Sequence, residues 1–248
     1  MRRFFISQHP TFGSFSNPIS SKIKKSPYFY WWLALTLNDD YVEYCSNPTL
    51  KRFKTNNKIH QIYNDFNDVR YEGCKYKAFT KWWNTKVNND ETRGQYLFAE
   101  KTVDTVLLVE DEKTAKGIIK DKSSLLIKIP NNLKKAYIDI GIERILAKHI
   151  KFERGRQTRN PTRATARYHL SAPIKVETLQ VAFGIYELLL DNKLSSYEVG
   201  KKFNIIPKIV YGDKGDIGYA RRVVSTKISR KKKEAKDGIA NVIKGIFP

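Results

Sequence analysis

The chain has 248 residues, of which 46 are Lys or Arg and 25 are Asp or Glu, so its formal net charge is +21. A hydrophobic content of 41% excludes a largely disordered chain, and no apolar run is long enough to cross a bilayer. Two cysteines exclude a disulfide framework, and with the four histidines they show no zinc-ligand spacing. The excess of positive charge opposes folding by self-repulsion, so it favours a polyanionic partner over a surface that is merely basic.

The first 26 residues are rich in Ser, Phe and Pro and contain no acidic residue. We expect residues 1–26 to form an extended basic arm, with a frayed terminus as the alternative. An aromatic-rich domain is expected to follow over residues 27–150. Its first part contains three stretches with apolar residues near a 3.6-residue period, which predict helices over 28–45, 57–68 and 76–86.

The pattern then changes to short apolar or β-branched runs that are bounded by charged residues. Three such runs, at 96–100, 105–110 and 123–129, predict two or three strands of a small β-sheet. A helical pattern returns over residues 131–150, with its apolar positions on one side. The predicted fold class is therefore mainly α (α+β), in which a helical N-terminal domain carries the small sheet. Within it we expect Trp31 and Trp32 to be core anchors and not platforms for stacked bases.

A segment with little apolar content follows, and residues 151–175 are predicted to be an Arg-rich linker between two domains. Five arginines occur within fourteen residues of it: Arg154, Arg156, Arg159, Arg163 and Arg167. Such a segment can order itself along phosphates when it binds nucleic acid, and a solvated basic linker is the alternative.

Residues 176–248 are predicted to form a basic domain that resembles a helix-turn-helix. A strong helix pattern over 176–190 precedes Ser195 and Glu198, which have the spacing of a capping box at the start of a short helix. A helix-turn-helix needs a tight turn next, but residues 204–215 form a longer loop before the last helix begins near Ile217.

The last helix is amphipathic, with an apolar stripe and a strongly basic exposed side. We expect nucleic-acid contacts from the short helix and the last helix together, through Lys201, Lys202, Arg221, Arg222, Lys227, Arg230, Lys232 and Lys233. Arg and Lys contact phosphates, and Arg can also bind guanine edges in the major groove. A solvated basic face is the alternative interpretation.

A metal-dependent nuclease is the main enzymatic alternative, because one nuclease core combines an acidic residue with a (D/E)xK triplet. Asp104, Asp111 and Lys113 have that pattern. Triplets of this kind occur three times in the chain, as often as its composition predicts by chance. Because there is also no phosphate-binding loop, dinucleotide fingerprint or hydrolase motif, we predict no catalytic residue, metal or cofactor.

Seven stretches, distributed over most of the chain, resemble a family of uncharacterised bacterial proteins. They are "YWWLALTLNDDYVEYC" (30–45), "YNDFNDV" (63–69), "WW" (82–83), "LFAE" (97–100), "LLIKIP" (125–130), "YEVGKKF" (197–203) and "IANVIKGIFP" (239–248). The resemblance implies a prophage or mobile-element setting, but it supplies no established activity and no catalytic residue.

The sequence thus predicts a cytoplasmic, non-catalytic nucleic-acid-binding protein, with duplex DNA as the first candidate and RNA as the second. A regulator, or a subunit of a phage, mobile-element or antiviral defence complex, fits this expectation. The N-terminal domain is a candidate surface for a protein partner, and a membrane is not expected as one. A protein-interaction adaptor that binds an acidic partner is the third alternative; neither oligomeric state nor target sequence is indicated.

Overall fold

The structure is a computed structural model, and it describes the chain in several ranges. These are residues 4, 10–53, 55–88, 91–100, 126–130, 132–149, 166–170, 175–191, 193–206 and 217–248, with the isolated positions 112, 115, 116 and 119. Contacts divide the chain into two compact units, one formed by Met1–Thr102 with Asn160–Pro248 and the other by Val103–Arg159. This division differs from the boundary in 151–175 that the composition of the sequence indicates.

The described residues are mainly helical. The first unit contains α1 (Ser20–Lys24), α2 (Pro27–Thr36), α3 (Asp39–Ser46), α4 (Asn57–Phe66), α5 (Lys75–Asn84), α6 (Arg93–Phe98), α8 (Val176–Leu190), α9 (Ser196–Lys202) and α10 (Ile217–Val242). The second unit contains α7 (Lys135–His149). The helices predicted over 57–68, 76–86, 131–150 and 176–190 are confirmed to within a few residues. None of the described helices is both long and apolar enough to cross a membrane.

The predicted small β-sheet is not seen in the described residues, where β-type pairing is confined to isolated bridges. The strand predicted over 96–100 is wrong, because its first three residues belong to α6. Thr92 and Gln95 form a capping box that starts this helix, so a local capping interaction overrides the apolar run. Residues 126–129 of the third predicted strand have no regular structure. The strand predicted over 105–110 lies outside the described residues.

The helix predicted over 28–45 is two helices, α2 and α3. Asn38 lies between them in an extended conformation, and its side-chain oxygen accepts a hydrogen bond from the Tyr41 N–H at 2.9 Å. An Asn N-cap of this kind starts a new helix, because it satisfies a backbone donor that has no partner within the helix. The periodicity continues across the break, which explains why it does not reveal two helices.

Helix α2 is the centre of the core, and every residue from Pro27 to Leu35 is buried. A helix that is apolar all round needs neighbours on every side. The Trp31 ring lies 5.6 Å from the Phe98 ring, 5.8 Å from Tyr168 and 5.4 Å from Phe247, so it joins distant parts of the chain. The prediction that Trp31 is a core anchor is confirmed.

The C-terminal helices share this core with the N-terminal ones. Phe247 is buried against Trp31, and the Asn38 amide donates to the Ile239 carbonyl of α10 at 2.8 Å. Lys75 of α5 pairs with Glu187 of α8 at 2.6 Å. The first and last thirds of the chain are therefore one packed unit.

The predicted N-terminal arm also contributes to the core. Phe4, Phe12 and Ile23 are buried, and α1 falls within the segment. Phe12 packs edge to face on Phe79 with ring centroids 5.2 Å apart. In its described part the segment is therefore attached to the fold by its apolar side chains, although its composition indicates an extended arm.

Candidate nucleic-acid interface

Helices α8, α9 and α10 form a small second core, in which Ile185, Val199, Val224 and Ile228 are buried together. The predicted capping box at the start of α9 is confirmed. The Ser195 hydroxyl accepts from the Glu198 N–H at 3.3 Å, and the Glu198 carboxylate accepts from the Ser195 N–H at 2.7 Å. Helix α9 therefore has a defined start and a defined position against its two neighbours.

Gly200 allows α9 and α10 to approach closely. A Cβ atom at residue 200 would lie 2.1 Å from the Val224 Cγ1 atom, far inside van der Waals contact. Only glycine fits at this crossing, so the small residue inside the opening helix of the predicted helix-turn-helix has a packing reason.

We predict that Gly200→Ala lowers the free energy of unfolding by about 1–3 kcal/mol, because the new methyl group must displace Val224 or the helix itself. Gly141→Ala is the matched control, since Gly141 is also helical and, among the described residues, no atom beyond its own stretch of helix would lie within 4 Å of its added Cβ. It is expected to stabilise its helix by up to about 1 kcal/mol. Urea denaturation followed by circular dichroism measures both, and equal effects would contradict the close approach.

The exposed side of α10 lies opposite its buried stripe and is basic and polar. Arg222, Thr226, Ser229, Arg230 and Lys233 are all exposed, and we call these five residues the basic face. Residues 222, 226, 229 and 233 follow one another at intervals of three or four, and residue 230 is four residues after 226, so all five lie on one side of the helix. Residues 217–233 include seven Lys or Arg and no acidic residue.

Tyr197 of α9 brings cations from the two helices together. The Lys201 ammonium lies 5.0 Å from the centroid of its ring, and the Arg221 guanidinium carbon lies 5.7 Å from it. Cation–π attraction holds the cations near the aromatic face without neutralising their charge. The Lys201 and Arg221 side chains of α9 and α10 therefore lie near the same aromatic ring.

The structure places the predicted residues of these two helices on the surface. Lys232 is half-buried. The other seven are exposed, namely Lys201, Lys202, Arg221, Arg222, Lys227, Arg230 and Lys233. In the part of the chain that the structure describes, no carboxylate lies within 4 Å of any of them; Glu234 pairs instead with Lys231. Ile217, the first apolar residue of α10, is half exposed.

The predicted Arg-rich segment is described only at its end, and Arg154, Arg156, Arg159 and Arg163 lie outside the described residues. Arg167 is described, and its guanidinium donates to the Asp65 carboxylate at 3.2 Å. The same guanidinium lies 4.2 Å from the centroid of the Tyr96 ring. Arg167 therefore anchors its segment to the core, a role that the sequence does not indicate.

Asp65 is the centre of a buried polar cluster that sequence analysis missed. Its carboxylate accepts from the Tyr168 hydroxyl at 2.7 Å and from the Tyr96 hydroxyl at 3.3 Å, and its own backbone carbonyl accepts from Arg93 at 2.7 Å. Burial raises the pKa of Tyr168, and the hydrogen bond to Asp65 raises it further, so the hydroxyl remains a proton donor. The signal in the sequence is an acidic residue among the apolar positions of a predicted helix.

Neither cysteine pairs with a histidine base among the described residues. Both ring nitrogens of His60 have partners, the Tyr44 hydroxyl at Nδ1 and the Phe53 carbonyl at Nε2. Burial, with the nearby Asp68 carboxylate, raises the pKa of the Cys45 thiol to about 12. Cys74 is exposed at the start of α5, where the N–H groups of Lys77 and Tyr76 lower the pKa of its thiol.

We predict that Cys74 reacts with iodoacetamide well before Cys45, because the thiolate is the reactive form and only Cys74 has a lowered pKa. At pH 7–8 a single thiol should be modified in the folded chain, and Cys74→Ser should abolish that reaction. Urea should expose the Cys45 thiol and return its pKa to near the ordinary value of about 8.5. Mass spectrometry of the alkylated peptides measures both, and rapid modification of Cys45 in the folded chain would contradict its protection.

The residues of the nuclease alternative, Asp104, Asp111 and Lys113, lie outside the described residues. Among the residues that are described, no group of three or more His, Cys, Asp or Glu side chains is arranged to hold a metal ion. Comparison of the chain with protein-family models, curated proteins and solved structures finds no match in any of the three. The function is therefore inferred from the chemistry of the surface itself.

Proposed function

We propose that this protein binds nucleic acid without catalysing a reaction, and that duplex DNA is its first partner. The basic face of α10 carries the proposal: Arg222, Arg230 and Lys233 are exposed on one side of a helix whose other side is buried. Since folding does not use these charges, a polyanion is the partner that they fit.

The geometry of α10 supports duplex binding in particular. Its basic portion, residues 217–233, is about 25 Å long at a rise of about 1.5 Å per residue. The major groove of duplex DNA, about 12 Å wide, admits an α-helix. Ser229 adds an exposed hydroxyl group beside Arg230, and a hydroxyl group can donate to a phosphate oxygen. The Thr226 hydroxyl donates instead to the Arg222 carbonyl at 3.0 Å.

The anchored position of α10 supports the same proposal. Val224 and Ile228 fix its first half against α8 and α9, while Ala235, Ile239 and Val242 fix its second half in the main core. A helix held at both ends presents its exposed side with little loss of conformational freedom on binding. As part of the proposal the protein is cytoplasmic, and it acts as a regulator or as a subunit of a phage, mobile-element or defence complex.

The test is a salt titration of binding to random duplex DNA, duplex RNA and single strands, with Mg²⁺ present and the products resolved on a gel. We expect intact DNA and a logarithm of affinity that falls linearly with the logarithm of salt concentration, by about 0.9 per phosphate contacted. Absence of binding to every nucleic acid at low salt would overturn the proposal and favour an acidic protein partner. Cleavage that Asp111→Ala abolishes would favour the nuclease.

A further inference from the structure

A groove of about 790 Å³ opens beside α5 in the first unit and shares no residue with the basic face. Its volume lies within the range of sites that bind small molecules or parts of larger ligands. Four aromatic side chains contribute to its wall, namely Phe15, Trp32, Tyr71 and Trp82. Four basic side chains line it as well, Arg70, Lys77, Lys81 and Arg93, against two acidic ones, Asp68 and Glu72. The groove is therefore both aromatic and positively charged.

Two of its rings are accessible from solvent. Phe15 is 55% exposed and Tyr71 is 36% exposed, although burial of such rings stabilises a fold. The Tyr71 ring lies 5.2 Å from the buried Trp32 ring, which in turn lies 5.6 Å from Phe79. Because core residues support Tyr71 from behind, it forms a rigid flat surface at low cost in conformational entropy.

Two lysines supply the charge of the groove that is both exposed and without a carboxylate partner among the described residues, whereas Arg93 is buried. Lys77 and Lys81 are exposed one turn apart on α5, and the Lys81 ammonium lies 5.9 Å from the centroid of the Phe15 ring. Of the carboxylates that the structure describes, none lies within 4 Å of either ammonium group. In contrast, Arg70 donates to Asp68 at 2.6 Å and Arg93 to the Asp65 carbonyl at 2.7 Å.

Aromatic faces next to unpaired cations form the recognition chemistry of single-stranded nucleic acid. Bases stack on the rings, and the cations attract the phosphate backbone. Duplex DNA does not fit this arrangement, because its bases already stack on one another. An acidic peptide would use the lysines but would leave the aromatic faces without a matching surface.

We propose that this groove binds unpaired nucleotides, with bases on Tyr71 and Phe15 and phosphates at Lys77 and Lys81. The inference rests on the proposed function in one respect, since it takes the polyanionic partner to be nucleic acid. It adds a second site of different specificity, so that a duplex held on α10 and an unpaired strand in the groove are bound by separate surfaces.

The test uses the full chain and a fluorescent oligothymidylate of about six nucleotides, a length within the site size of one single-strand-binding domain. The matched ligand is an abasic strand of the same length and charge. We expect the oligothymidylate to bind at least about tenfold more tightly than the abasic strand, because only it can stack. Fluorescence anisotropy measures both affinities.

Two variants locate the binding site. The double variant Phe15→Ala with Tyr71→Ala should lose that difference of about tenfold and keep its affinity for duplex DNA. Lys77→Gln with Lys81→Gln should weaken binding of both strands and leave the packing of Tyr71 on Trp32 unchanged. Tyr137→Ala is the control, because Tyr137 is an exposed tyrosine of the second unit at 65% exposure and does not line the groove.

The outcomes separate this inference from the proposed function. Equal affinity for the base-bearing and abasic strands, or displacement by polyglutamate as readily as by oligothymidylate, would overturn the groove proposal. The groove proposal would also fail if a variant of the basic face lost single-strand binding while both groove variants kept it. That outcome would not contradict the proposal that α10 binds duplex DNA. Groove-dependent single-strand binding without any duplex binding would support the groove and overturn the duplex interface.

Discussion

Simultaneous replacement of Arg222, Arg230 and Lys233 by alanine should lower the affinity for duplex DNA by about 500-fold at 0.1 M salt. Each phosphate contact contributes about 0.9 to the slope of log affinity against log salt concentration, so three contacts contribute about 2.7. The plots of log affinity against log salt concentration for the original chain and the triple variant converge near 1 M salt. At 0.1 M the two affinities therefore differ by about 2.7 decades, or about 3.7 kcal/mol. The fold should be retained, because all three side chains are exposed and alanine is the best helix former.

A matched variant separates this effect from bulk charge. Lys51, Lys58 and Lys86 are exposed, and their replacement by alanine removes the same three charges from elsewhere on the chain. We expect this variant to retain most of the affinity and nearly the whole salt slope. Electrophoretic mobility shifts or anisotropy over a salt series measure both variants. If the two lose affinity equally, the chain attracts DNA only through its net charge, and the basic face is not an interface.

Asp65→Ala should lower the free energy of unfolding by about 2–4 kcal/mol. The substitution leaves the Tyr168 and Tyr96 hydroxyls without their common acceptor and removes the partner of Arg167. A buried hydrogen-bond donor that is left without an acceptor lowers the free energy of unfolding by about 1–3 kcal/mol. The effect of removing the partner of Arg167 is smaller, because the Arg167 side chain is 44% exposed and solvent screens its charge.

Asp68→Ala is the control for that prediction. Asp68 is three residues after Asp65, and its carboxylate belongs to an ion pair that solvent can reach. Asp68 and Arg70 form an exposed ion pair at 2.6 Å, and such pairs contribute about 0–1 kcal/mol. Urea denaturation of both variants gives the comparison. If Asp65→Ala costs no more than Asp68→Ala, the buried cluster does not stabilise the fold and Arg167 is not anchored by it.

The triple variant removes two arginines of the predicted interface, Arg222 and Arg230, whereas Asp65→Ala removes the partner of a third, Arg167. Arg222 and Arg230 are exposed without an acidic partner among the described residues, while Arg167 is already paired with Asp65. We therefore expect Arg167→Ala to affect stability more than affinity for DNA. Arg167 is thus engaged within the fold, which the composition of its segment does not indicate.

The elements that depend on local chemistry could be predicted from the sequence. The capping box of Ser195 and Glu198 and the apolar period of residues 176–190 indicate α9 and α8 with nearly correct bounds. Capping and periodicity act within one or two turns, so neighbouring residues contain the whole signal. The same limit explains two wrong predictions. The strand predicted over 96–100 is a helix, because the short apolar run at 96–98 has no period of its own. The single helix predicted over 28–45 is two helices, because the apolar period passes through Asn38 without a gap.

The sequence by itself determined the helices over 57–68, 76–86, 131–150 and 176–190, the net charge of +21 and the basic character of the last helix. Only the tertiary structure decided that Asp65 is buried, that Arg167 is paired, and that Lys201 and Arg221 share the Tyr197 ring. It also decided that Phe247 and Trp31 belong to one core. These contacts join residues far apart in the chain, and their energy depends on burial and distance, which no local pattern of residues records.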